Sequence, residues 1–164
     1  MRKVFKGIAM CLAIVLLISM MTACGESQDT PARDVLNQVI NDFPEEFNTV
    51  ASYGESLYDD SFNSMYGVDY KMINDGAICY LEEGNSASEV SIIHLKKAED
   101  VNIAKSKLED RVATRRNTFA GYFPEEVSKI DNYSIMVQGN FVCLIIAEDP
   151  MMVEASIRSG ISAK

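Results

Sequence analysis

The stretch YSIMVQGNFVCLIIA, residues 133–147, decides the fold because it contains two apolar strands joined by a two-residue turn. Gly139 and Asn140 form that turn, and glycine at its first place favours a type II′ hairpin. The resulting register sets three pairs of residues opposite each other: Val137 and Val142, Met136 and Cys143, and Ile135 and Leu144. The second strand, residues 141–147, is apolar on both faces, so we expect it to be central in an antiparallel sheet.

A second hairpin is predicted upstream of this one. Its strands lie around residues 77–81 and 90–96, and turn residues separate them at positions 84–86. Before this hairpin, residues 45–50 are predicted to begin a short helix. Residues 52–67 are predicted to form a loop or a short helix, because Ser, Asn, Asp and Gly are frequent there.

Three longer helices are predicted from capping residues that precede apolar residues at helical spacing. The first begins at Thr30-Pro31, the second begins at Asp100 and ends near Gly121, and the last begins at Asp149-Pro150. The order of elements is therefore α-β-β-α-β-β-α. This order predicts an α+β fold, with a four-stranded antiparallel sheet made of two hairpins and helices mainly on one face.

The first 24 residues divide into the parts of a lipoprotein signal peptide. Three basic residues lie within the first six positions, and residues 7–21 are uncharged and mostly apolar. This apolar run is shorter than the roughly 20 residues needed to span a bilayer. The segment Met21-Thr22-Ala23-Cys24 resembles the lipobox of bacterial lipoproteins. We therefore predict cleavage between Ala23 and Cys24 and a covalent diacylglycerol on the Cys24 thiol; the alternative is an uncleaved signal anchor.

The sequence thus divides into a signal peptide (1–23), a lipidated tether (24–30) and a single α+β domain (31–164). The formal net charge is −9, and the signal segment contains no acidic residue, so the mature chain is more acidic still. An acidic surface argues against nucleic acid as a partner and against adhesion to anionic lipid head groups. We therefore expect contact with the membrane through the lipid alone, on the outer face of the cytoplasmic membrane.

Short patterns with a shared order and spacing extend over roughly residues 35–160. They are Tyr66-Gly67-Val68-Asp69, Ala87-Ser88-Glu89-Val90, Tyr122 with Pro124-Glu125, and Gly139-Asn140-Phe141-Val142. In this order they resemble the domain-of-unknown-function 4358 family of small lipoproteins from Gram-positive bacteria. The resemblance implies export and anchoring in the cell envelope. It implies no activity and no catalytic residue.

The candidate reactive residues of the mature domain are His94, Cys79 and Cys143. A single histidine excludes a His-rich metal site, and no zinc-ligand spacing exists, so we expect no metal and no cofactor. If Cys79 lies opposite Ile92, His94 becomes its diagonal neighbour, and a Cys–His pair is the minimum for a thiol nucleophile. Mid-strand positions favour a packing role for these residues. Cys79 and Cys143 could also form a disulfide, but two small buried side chains are the favoured interpretation.

Basic residues concentrate around the predicted long helix. Arg111 and Arg115 are spaced to share a helix face, and Arg116 is adjacent to them. These three residues are candidates for contact with an anionic ligand or an acidic partner. The alternative is a solvated helix face that pairs with Glu109, Asp110 and neighbouring acids.

No catalytic constellation is visible, so we expect a non-enzymatic, membrane-tethered module that binds a protein or an envelope ligand. A further expectation concerns the sheet face with Met136, Phe141, Cys143 and Ile145, which would bind a partner if it were uncovered. One alternative is an envelope enzyme or a thiol-redox factor that uses Cys79, Cys143 or His94. Another is a small single-domain solute-binding lipoprotein.

Overall fold

The computed structural model of the chain describes residues 30–162. The predicted signal peptide and the lipid attachment at Cys24 lie outside these residues. Ten main elements follow one another along the chain: α1 (Ala32–Asp42), β1 (Thr49–Ser52), α2 (Ser56–Tyr66), β2 (Ile73–Tyr80), β3 (Glu89–Leu95), α3 (Val101–Tyr122), α4 (Val127–Asp131), β4 (Ser134–Gln138), β5 (Phe141–Ile146) and α5 (Pro150–Ser162). The α+β class is therefore confirmed.

The sheet is antiparallel throughout and its strand order is β1-β2-β3-β5-β4. The hairpin formed by β4 and β5 has the predicted register, with Val137 opposite Val142 and Met136 opposite Cys143. Gly139 has a φ of +57°, and Asn140 stays at negative φ, as a type II′ turn requires. The apolar strand β5 lies inside the sheet, between β3 and β4, as its composition indicates.

The predicted count of four strands is wrong, because the sheet has five. The additional strand, β1, pairs with β2 and sets Val50 opposite Cys79. Its first two residues, Thr49 and Val50, fall within the segment predicted to begin a helix. A strand this short contains too few residues for alternation of apolar and polar side chains to reveal it. Residues 52–67, predicted as a loop or a short helix, contain α2.

Helices cover both faces of the sheet, so the prediction that they lie mainly on one face is wrong. Helices α2, α3 and α4 pack on one face, against residues such as Ile93 and Leu144. Helices α1 and α5 pack on the other face, against residues such as Ile92 and Ile145. Because β3 and β5 place apolar side chains on both faces, each face loses exposed apolar area when a helix covers it. The face with Met136, expected as a partner surface if uncovered, is buried beneath α1 and α5.

Acidic side chains fix the beginnings of the two helices on this second face. The backbone N–H of Ala32 donates to Oδ2 of Asp75 at 2.7 Å, so a residue near the start of β2 caps α1. Asp149 accepts from the backbone N–H groups of Met151 and Met152, both at 3.1 Å, and caps α5 as the sequence predicts. The first cap ties the beginning of α1 to one end of the sheet.

None of the helices within residues 30–162 combines the length and the apolar character that crossing a membrane requires.

Candidate functional site

A buried carboxylate marks the site. Glu89 begins β3, and its side chain points to the face covered by α2 and α3, where the residue is only 3% exposed. Its Oε1 accepts hydrogen bonds from the Tyr66 hydroxyl at 2.6 Å and from Nε of Arg111 at 3.0 Å. Its Oε2 accepts from Nη2 of Arg111 at 2.6 Å and lies 3.2 Å from Nη1 of Arg115. Three hydrogen bonds and one ion pair thus hold the two oxygens of the carboxylate.

Helix α3 supplies both guanidinium groups because Arg111 and Arg115 stand one turn apart on the same face. Their side chains are only 11% and 15% exposed. Arg115 also holds the loop before β3, since its Nε donates to the carbonyl of Ala87 at 3.0 Å and its Nη2 to that of Ser86 at 3.2 Å. Its guanidinium lies 4.8 Å from the centroid of the Phe119 ring, within cation–π distance.

The charges within this cluster do not balance. Burial by itself raises the pKa of Glu89, but hydrogen bonds from Arg111 and the charges of both arginines hold that pKa below its usual value, so the carboxylate is ionised. Burial, reinforced by repulsion from Arg111, lowers the pKa of Arg115, but an arginine stays protonated under ordinary conditions. Two guanidinium ions thus face one carboxylate within the cluster, and two further acids, Glu82 and Glu126, lie near them.

A cavity of about 310 Å³ opens beside these side chains, and we call it the arginine pocket. It lies between the turn that joins β2 to β3 and the face of α3. It is lined by apolar side chains, by backbone and polar groups of the turn, and by the charged cluster: Met65, Ile78, Tyr80, Leu81, Glu82, Gly84, Ser86, Glu89, Arg111, Arg115 and Phe119. Apolar walls around a few converging polar groups are typical of small-molecule sites.

One edge of Arg111 has no acceptor. The guanidinium uses its Nε and one N–H of Nη2 to hold Glu89. Among the described side chains of residues 30–162, no acceptor is hydrogen-bonded to its Nη1. Arg111 therefore has N–H donors beyond those that hold Glu89, and its side chain is part of the pocket wall.

The structure places Arg116 away from the pocket. Its Nε lies 2.6 Å from Oδ1 of Asp131 on α4, and both side chains are about half-exposed. Elsewhere on α3, Lys105 pairs with Glu109, so that part of the helix has the solvated ion pairs considered as the alternative. The sequence-predicted group of three arginines is thus divided, with Arg111 and Arg115 together and Arg116 outside.

A second charged cluster, absent from the sequence predictions, flanks the same loop. The ammonium group of Lys129 is 8% exposed and lies 3.0 Å from both Glu126 and Glu148. Oε2 of Glu126 also accepts from the backbone N–H of Ala87 at 2.7 Å. Burial lowers the pKa of Lys129, but hydrogen bonds to the two carboxylates outweigh this and raise it. Residues 86–89 are consequently held from both sides, and spacing along the chain could not have indicated this arrangement.

The candidate thiols and the histidine do not form a site. Cys79 lies opposite Val90, not Ile92, so the predicted diagonal contact with His94 is wrong. Cys143 lies on β5, with β3 between the two cysteines, and both are free and buried, as the favoured interpretation expects. Burial raises the pKa of each thiol far above its usual value. His94 stacks on Phe141, with ring centroids 4.1 Å apart. In the part of the chain that the structure describes, no group of His, Cys, Asp and Glu side chains could hold a metal ion.

The fold and the site define an α+β domain whose antiparallel sheet lies between two helical layers and carries a buried carboxylate–arginine cluster. The family model for a domain of unknown function, DUF4358, matches residues 52–147, more than half of the chain. The chain belongs to the DUF4358 family, as the sequence patterns indicate. The matched range contains Tyr66, Glu89, Arg111 and Arg115. We found no match to the chain among curated proteins or among solved structures.

Proposed function

We propose that this protein is an exported lipoprotein whose domain is a non-enzymatic binding module, with the arginine pocket as its binding site. The diacylglycerol on Cys24 anchors it to the outer face of the cytoplasmic membrane. The observation that carries the proposal is the second donor edge of Arg111, on a side chain that lines a cavity with apolar walls. Such a donor edge serves to hold an anionic group of a ligand.

The chemistry of the cluster favours binding over catalysis. A guanidinium does not exchange its proton at ordinary pH, so Arg111 and Arg115 are poor general acids or bases. Glu89 has a lowered pKa, and three hydrogen bonds and an ion pair hold its two oxygens. A general base would need a raised pKa and a free lone pair directed at the substrate.

The anchor rests on the sequence of residues 1–24. The basic start, the apolar run and the small residues before Cys24 are the features on which lipoprotein processing depends. Two acyl chains on one cysteine give stable attachment, whereas a single chain would give only marginal binding. The acidic domain gains no further attraction from anionic lipids.

The pocket also supports a second candidate, a small single-domain solute-binding lipoprotein. At about 310 Å³, the cavity lies at the lower end of the range for small-molecule sites, roughly 300–1,000 Å³. The thiol-redox alternative has weaker support, because reactive thiols have lowered pKa values and are accessible. Burial raises the pKa of the Cys79 and Cys143 thiols and makes both inaccessible.

The anchor can be tested by expressing the full chain in a bacterium that processes lipoproteins. We expect mass spectrometry to find a mature N-terminus at Cys24 with a diacylglyceryl group, and fractionation to find the protein in the membrane. Cys24→Ser should abolish the lipid and the cleavage. A membrane-bound, unmodified and uncleaved wild-type chain would contradict the proposal and favour a signal anchor.

The binding site can be tested by site-specific photo-crosslinking in cells. A photoreactive residue at Leu81, on the wall of the pocket, should give a discrete crosslinked product that Arg111→Lys weakens. Met152 on α5, exposed on the other side of the sheet, is the matched control position. Equal products from both positions, or no product from Leu81, would argue against the pocket as the binding site.

A further inference from the structure

We propose that the arginine pocket recognises the carboxylate of an apolar organic acid: a single –COO⁻ group attached to an apolar body. The carboxylate could belong to a free acid or to the C-terminus of a peptide whose last side chain is apolar. This inference rests on the proposed function, because it names the ligand class of the same site.

The geometry of Arg111 provides the first argument. Its side-on edge, Nε and Nη2, already forms a bidentate pair with Glu89. The remaining donors, on Nη1 and the second N–H of Nη2, make up the other edge of the same planar group. Two parallel N–H donors on one edge match the two oxygens of a carboxylate. The arginine would then bridge Glu89 on one side and the carboxylate of the ligand on the other.

The charge of the site provides the second argument. Arg111 and Arg115 are the two cations of the pocket lining and Glu82 and Glu89 are its two anions, so the lining has no excess positive charge to balance a dianion. A phosphate monoester carries about −1.5 to −2 charges at neutral pH. Glu82 and Glu89 would repel that charge more strongly than they repel the single charge of a carboxylate. The site therefore fits a carboxylate better than a phosphate.

The walls of the pocket provide the third argument. Met65, Ile78 and Phe119 line the space beside the guanidinium groups, so the body of the ligand would lie against apolar side chains. Burying such a body is favourable in proportion to the apolar area removed from water. Apolar walls would not stabilise a free inorganic anion or a strongly hydrated acid such as acetate to the same extent.

The test is a set of matched probes titrated into the full chain in detergent, with micelles alone as the blank. The probes are 3-phenylpropanoate, its neutral amide, 2-phenylethyl phosphate, acetate, and N-acetyl-alanyl-phenylalanine as the free acid and as the amide. Calorimetry gives the affinities. Nitrogen-15 NMR of the Arg111 guanidinium reports on the site itself and does not respond to partitioning into micelles.

We expect each apolar carboxylate to bind at least tenfold more tightly than its amide, the phosphate or acetate, and to shift the Arg111 resonance. Arg111→Lys keeps the charge but loses the second edge, so it should weaken binding at least tenfold. Arg116→Lys, outside the pocket, is the control and should change nothing, and thermal melting verifies that both variants fold. If 3-phenylpropanoate binds more tightly than the dipeptide acid, the source of the carboxylate is a free acid. If the dipeptide acid binds more tightly, the source is the C-terminus of a peptide. Either order supports the inference.

Two results would overturn it. Equal affinities for an acid and its amide would show that the pocket does not recognise the carboxylate. The pocket would still be a binding site. The absence of any shift at Arg111 with every carboxylate would also overturn it. The crosslinking at Leu81 would still decide separately whether the pocket binds anything.

Discussion

Replacing Glu89 with glutamine tests whether the buried cluster is organised as described. If the amide oxygen keeps the hydrogen bonds from Tyr66 and from Nε of Arg111, the amide nitrogen must face Nη2 of Arg111 and Nη1 of Arg115, which are also donors. One hydrogen bond to a charged group, worth about 1.5–3 kcal/mol, and one ion pair are then lost. The two guanidinium ions also lose their buried counter-ion, and breaking a buried ion pair costs about 3–5 kcal/mol in other proteins.

We therefore expect Glu89→Gln to lower the free energy of unfolding by about 3–5 kcal/mol in urea titrations at pH 7. Glu99→Gln is the control, because Glu99 belongs to an exposed pair with Lys97 and should change stability by less than about 1 kcal/mol. A loss below about 1 kcal/mol for Glu89→Gln would refute the description of Glu89 as an ionised partner of both arginines.

The pH dependence gives an independent measurement on the same pair of proteins. The pKa of Glu89 in the folded protein lies below the ordinary value of 4.5. Its contribution is therefore complete above pH 4.5 and is lost as the pH falls through the lower, folded-state pKa. The stability difference between wild type and Glu89→Gln should be constant from pH 7 to about pH 5 and shrink below pH 4.5. A difference that grows on acidification would contradict this assignment.

Two further predictions concern the interior. Gly76→Ala should lower the free energy of unfolding in urea by about 1–3 kcal/mol, because its new methyl group would collide with the Tyr58 hydroxyl. Gly121→Ala is the control: it lies in open space on α3 and should be neutral or stabilising. If Gly76→Ala were neutral, the close approach of Tyr58 would be wrong. Cys79 and Cys143 should resist maleimide labelling in the native protein and react after unfolding. Peptide mass spectrometry measures the labelling of each cysteine. Rapid labelling of either one in the native protein would support the thiol-redox alternative.

Local patterns predicted the parts of the fold that local interactions determine. The β4–β5 hairpin was predicted with its register, because the turn type and the alternation of residues 133–147 fix both. The helices on both faces were not predicted. Whether a strand is covered on one face or two depends on where distant helices pack, and α1 and α5 come from opposite ends of the domain.

The same distinction applies to the site. The spacing of Arg111 and Arg115 placed them on one face of a helix, and the structure brings them together. Glu89 was visible only as part of a family pattern, and nothing near it in the sequence indicated burial. Its burial depends on donors from α2 and α3 that lie 22 or more residues away in the chain. Long-range ion pairs of this kind leave no periodic signal.

The cap that Asp75 forms on α1 has a consequence for the attachment of an anchor. The chain enters the domain where α1 begins, at the first residues of β2. The arginine pocket lies at the other end of that strand, beside Tyr80 and the turn that follows it. Five residues of extended chain separate the two ends by roughly 17 Å. An anchor upstream of α1 would thus attach to the domain at the end of β2 opposite the arginine pocket.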